Sequence, residues 1–69
     1  MRVYAVKEWV EYEGYCGLWA FTNEAAARKK LAERQEAAIE AQHFLTLERF
    51  EPGADLTNEG ELLVAPGLN

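Results

Sequence analysis

The 69-residue sequence predicts a small α+β domain ordered β-β-α-β, a thin, mainly antiparallel sheet with one helix packed on one face. Three observations predict it. RVYAVKEWVEY at 2–12 is rich in β-branched and aromatic residues, residues 23–42 hold seven alanines and neither Gly nor Pro, and FLTLERF at 44–50 returns to strand-like alternation. A chain of this length buries only about 60% of the surface its unfolded form exposes, so there is room for one thin core and no second domain.

In the first strand Tyr4, Val6, Val10 and Tyr12 fall on one face and Val3, Ala5 and Trp9 on the other, so apolar residues lie on both sides. Gly14 and Gly17 punctuate a turn, and LWAF at 18–21 supplies a second short strand. A two-residue turn at Glu13-Gly14 sets Tyr12 opposite Tyr15 and Glu8 opposite Trp19. A five-residue loop from Glu13 to Gly17 sets Tyr12 opposite Leu18. The short turn is favoured because it gives longer pairing.

Thr22 is the expected N-cap of the helix, with Phe21 and Ala26 forming a staple and Glu24 in the first turn, where the helix dipole favours an acid. At about 100° per residue, Ala27, Leu31, Ala38 and Ile39 gather on one side, and Lys29, Glu33, Glu36 and Glu40 gather opposite. Alanines bring the helix close to the sheet, so sheet aromatics must fill the core. In the third strand Leu45 and Leu47 share one face, and Phe44, Thr46 and Phe50 the other. EPGAD at 51–55 ends it. Residues 1–51 thus read as the domain, and 52–69 as an extension whose short apolar run, Leu62 to Ala65, forms either an edge strand or a tail before Pro66-Gly67.

The formal charge is −5, with acids concentrated at 8–13 and 48–61 and a balanced helix between them. This disfavours nucleic acid or an anionic membrane as a direct partner. Charges interrupt every apolar stretch well before about 18 residues, and no basic leader opens the chain, so neither a membrane span nor a secretion signal is expected. The single Cys16 cannot close an intramolecular disulfide, which fits a cytoplasmic location.

Sites of chemistry are not expected. Cys16 has acidic neighbours, which suppress a thiolate, and His43, the one histidine, suits a capping or surface role near the helix C-terminus. No CxxC, phosphate loop or metal-ligand spacing is present, so neither a metal nor a cofactor is expected. Glu11 and Glu13 alternate onto one face, but the chain is too short to wall a pocket around them, and exposed charge that discourages edge aggregation is the better account.

Eight aromatics remain to be explained, and one helix covers only one face of a sheet. Trp and Tyr among carboxylates have the composition of a protein-binding surface with an acidic rim. Trp9, Tyr12, Tyr15 and Trp19 are the candidate anchors. Glu8, Glu11, Glu13, Glu48 and Glu51 are the candidate steering acids toward a basic surface on a host protein. Self-association through the same aromatics, as a homodimer or a small subunit of a larger assembly, and simple core packing are the alternatives.

The frame MRVYAVKEW, a glycine-containing turn, LWAFTNEAAARKKL and FLTLERFE resembles the small β-β-α-β domains of unknown function common in bacteria and their phages. The likeness covers residues 1–51. It implies a fold and a setting, that of short accessory proteins without catalytic residues, and from it follows the expectation of a phage or prophage protein that binds and modulates a host protein. Inhibition of the anti-CRISPR type is one version of that expectation.

Overall fold

The structure, a computed structural model, describes residues 1–66. Four strands and one helix follow in the order β1 (Val3–Val10), β2 (Gly14–Phe21), α1 (Glu24–Ala41), β3 (Phe44–Phe50) and β4 (Glu61–Val64). The sheet order is β2-β1-β3-β4, with every neighbouring pair antiparallel. Because β1 lies between them, β2 and β3 run parallel, and a helical crossover is the natural way to join them. The fold is the expected α+β arrangement, with Leu62–Val64 of the apolar run in an ordered fourth strand that binds the extension to the domain.

The hairpin differs from both expected registers. Val10 pairs with Gly14 across a three-residue loop, Val6 rather than Glu8 pairs with Trp19, and Tyr12 stands in the loop at φ 69°. Glu8 faces Gly17 while Trp9 faces Tyr15, so Cys16 is the extra residue of a β-bulge and not part of a turn. The loop at 11–13 displaces the pairing by three residues from the expected short turn, and the bulge returns one of them.

Asn23 caps the helix in place of Thr22: its side-chain Oδ1 accepts from the Ala26 N–H at 3.0 Å. The other end closes with Gln42 in the left-handed region at φ 61°, its N–H donating to Ile39 O and the His43 N–H donating to Ala38 O at 2.8 Å. This double closure is a Schellman motif, which turns the chain sharply and aims the next residue back toward the sheet. His43 is that residue.

The core lies between α1 and the sheet. Ala27, Leu31 and Ala38 pack on Val6, Leu45 and Leu47, with Tyr4, Trp19, Phe21, Leu63 and Val64 around them, whereas Ile39 lies at the margin, 39% exposed. The opposite face is partly roofed by the 51–60 connection, because Asn58 and Gly60 bond to side chains of β1 and β3.

Candidate functional site

Adjacent residues of β1 point to opposite faces, and here Lys7 and Glu8 are both buried, at 0% and 1% exposure. On the helix side, Arg34 of α1 reaches Glu8 with two hydrogen bonds, Nε to Oε1 at 2.9 Å and Nη2 to Oε2 at 3.2 Å. His43 Nδ1 lies 2.6 Å from the same Oε2. The Arg34 hydrogen bonds hold the Glu8 carboxyl below its ordinary pKa against the opposing pull of burial, and His43 adds to the effect.

Cys16 completes the group. The bulge directs its Sγ to Glu8 O at 3.6 Å, and to His43 Nδ1 at 3.6 Å. Donor atoms of Glu8, Cys16 and His43 all fall within 4.8 Å of one another, the one such three-residue group among the described residues. Thiol and carboxylate both approach the same imidazole nitrogen. In a nucleophilic triad the base nitrogen faces the thiol while the acid holds the other nitrogen, so this cluster is convergent and does not form a relay.

Sequence spacing concealed the group. Its members come from β1, β2 and the residue after α1, and only the bulge and the Schellman closure bring them together. Two expectations are thereby corrected: Cys and His are grouped, and the His43 side chain bonds to a buried acid instead of capping or facing solvent alone.

On the opposite face, Lys7 Nζ donates to Glu48 Oε1 at 2.9 Å and to Asn58 O at 2.7 Å. Glu48 also accepts from Thr46 Oγ1 at 2.8 Å and the Gly60 N–H at 2.9 Å. Burial pushes the Glu48 pKa up, but the Gly60, Lys7 and Thr46 donors outweigh it and the net direction is down. Beside this network Trp9 stacks on Phe44 with ring centres 5.7 Å apart and meets Tyr15 edge-on at 6.0 Å. Trp9, Tyr15, Glu48, Gly60 and Leu62 border a groove of about 270 Å³.

The nine candidate binding residues therefore do not form one patch. Glu8 and Glu48 are buried in ion pairs on opposite faces and cannot act as a steering rim. Trp19 lies on the helix side beneath the Lys30 and Arg34 cations, at 5.2 and 5.8 Å from its ring centre. Glu11, Tyr12 and Glu13 are exposed at the hairpin loop, Tyr12 at 99%, whereas Trp9 and Tyr15 share the opposite face. Glu51 is exposed beside Arg2, its salt-bridge partner, at the far end of β3.

One feature was missed by side-chain reasoning alone. β2 is an outer strand, so one side of its backbone has no strand partner, and its eight residues, GYCGLWAF, include no charge and no proline. The other outer strand, β4, has four residues, opens with Glu61 and is followed closely by Pro66. Short length, charge and proline are three of the usual protections of a sheet edge and β2 has none of them; its one such device is the bulge at Cys16, which leaves Gly17–Phe21 as the regular part of the edge. No described helix is long and apolar enough to cross a membrane. Comparison with protein-family models, with curated proteins and with solved structures finds no match.

Proposed function

We propose that this chain is a non-enzymatic protein-binding module that adds an extended segment of a partner protein to the open edge of β2. The observation that carries this reading is the uncharged, proline-free outer edge of β2, regular from Gly17 to Phe21 beyond the Cys16 bulge. Strand addition draws its affinity from backbone hydrogen bonds and its selectivity from the side chains that flank them. Tyr12 and Tyr15 flank the edge as exposed aromatics, and Glu11 and Glu13 place negative charge at its start, which suits a partner with basic residues.

With the resemblance of residues 1–51 to bacterial and phage domains, the reading extends to an accessory protein that docks on a host protein and modulates it. Covering a basic, nucleic-acid-binding surface, as anti-CRISPR proteins do, is its sharpest form. The same edge favours one other reading, pairing of β2 with β2 of a second copy about a two-fold axis, which would make the protein a structural homo-oligomer.

The test joins capture from a lysate of the native host with amide hydrogen exchange on the captured complex, using the wild type and Ala20→Lys. Ala20 is exposed on β2, opposite Ala5. A partner that protects the β2 amides and is lost with Ala20→Lys supports strand addition. Protection of β2 in the purified protein alone, with a dimer mass by light scattering, supports self-pairing. Capture that leaves β2 exchange unchanged rejects the edge as the binding site.

A further inference from the structure

We propose that Glu8, Cys16 and His43 bind a zinc-class divalent cation, with Cys16 Sγ, His43 Nδ1 and Glu8 Oε2 as ligands and a solvent-facing fourth position. The donor set is the first argument. Thiolate, imidazole and carboxylate are the three protein ligands of Zn²⁺, and they suit it better than they suit Mg²⁺ or Ca²⁺, which prefer oxygen alone.

Geometry is the second argument. Sγ, Nδ1 and Oε2 converge, with Sγ to Nδ1 at 3.6 Å and Nδ1 to Oε2 at 2.6 Å. Ligands about 2.0–2.3 Å from a tetrahedral zinc stand roughly 3.3–3.7 Å apart. The thiol and imidazole already have that spacing, the imidazole–carboxylate pair must open by less than about 1 Å, and the thiol and carboxylate, within 4.8 Å of each other, need to close by no more than about 1.5 Å. In the metal-free state the short Nδ1–Oε2 contact is a hydrogen bond; on binding, the cation takes the Nδ1 lone pair with the ring proton on Nε2, and the Cys16 thiol gives up its proton to solvent as the thiolate ligand.

Support around the ligands is the third argument. Each ligand is set by a backbone device: the bulge for Cys16, the central strand for Glu8, the Schellman closure for His43. Arg34 bonds both oxygens of Glu8 and compensates its charge, the outer partner that ligating carboxylates usually have. A carboxylate offers about four acceptor positions, so Oε2 can accept from Arg34 and still coordinate. Cys16 is exposed, which leaves an entry path.

The experiment is titration of the reduced, tag-free full chain with Co²⁺, read by absorption, followed by Zn²⁺ competition. We expect one equivalent to bind, giving the strong visible bands of tetrahedral cobalt and a thiolate-to-cobalt charge-transfer band, both removed by Zn²⁺. Cys16→Ser is expected to abolish the charge-transfer band, and both it and His43→Gln are expected to weaken binding by about 100-fold or more, beyond the range of an outer-partner loss. Circular dichroism of both variants confirms that they fold; neither removes the Glu8–Arg34 pair. Absence of the bands in the folded wild type, or binding that both folded variants retain unchanged, overturns the site.

Discussion

Lys7 and Glu8 are neighbours in sequence, yet each is buried on its own face of the sheet and neutralised by a different element, Lys7 by Glu48 of β3 and Glu8 by Arg34 of α1. β1, an inner strand, thus places opposite charges on the two faces of the sheet. Isolated burial of either charge is costly, so each partner is structurally required.

Removing one partner of the Lys7–Glu48 pair should therefore cost more than removing both. Lys7→Ala or Glu48→Ala is expected to destabilise by about 3–5 kcal/mol, and Lys7→Met combined with Glu48→Leu to recover part of that loss, because Thr46, Asn58 and Gly60 also lose their partners. Urea denaturation of the three variants measures it. Equal losses in single and double variants would refute the pairing.

Stability should also fall in acid through Glu48. Its folded pKa lies below the ordinary value of 4.5, so its contribution is fully present above that value and is lost as pH drops through the lower, folded value. Unfolding followed between pH 7 and 2 should show this decline, and Glu48→Gln should flatten it. An unchanged slope in the variant would assign the acid sensitivity elsewhere.

Among the described residues, two that are not glycine hold left-handed backbone, Tyr12 at φ 69° and Gln42 at φ 61°. Glycine at either position should remove a strain of about 1 kcal/mol. Gln42→Gly is expected to raise the melting temperature. Tyr12→Gly is expected to stabilise the fold while weakening partner capture, since the side chain is 99% exposed and contributes little to the core. Retained capture with Tyr12→Gly would remove Tyr12 from the contact surface.

Close approach fixes two glycines. A Cβ on Gly60 would lie 2.8 Å from the Arg49 carbonyl oxygen and from the Phe50 ring, and one on Gly17 would lie 2.5 Å from the Trp19 ring. Gly60→Ala should cost about 1–3 kcal/mol, because backbone must move, and Gly17→Ala less if Trp19 rotates away. Tryptophan fluorescence should shift in Gly17→Ala and stay near wild type in Gly60→Ala.

The fold class could be read from the sequence because its elements announce themselves locally: a β-branched and aromatic opening, an alanine run, and alternation in FLTLERF. Hairpin register was hidden by the loop, which spans Glu11–Glu13 and displaces the pairing by three residues from the Glu13-Gly14 turn, and by the extra residue at Cys16, which returns one of them without changing composition. Thr22 and Asn23 are both good caps, and only the backbone path selects Asn23. The clustered Glu8, Cys16 and His43 depend on contacts between distant segments, for which no short motif exists. Glu8 and Glu48 look like surface acids until Arg34 and Lys7 are seen to bury them.

The Lys7 network also governs when the molecule can form. Lys7 is a buried ammonium whose carboxylate, Glu48, and carbonyl partner, Asn58, are contributed 41 and 51 residues later. A nascent chain that has synthesised the hairpin and the helix still lacks both groups and the β3 side of its central strand. Completion must wait for a long-range closure, the slow kind of step in folding, so the sheet assembles late during or after translation. The N-terminal strand is made first and becomes secure only when the last connection settles across it.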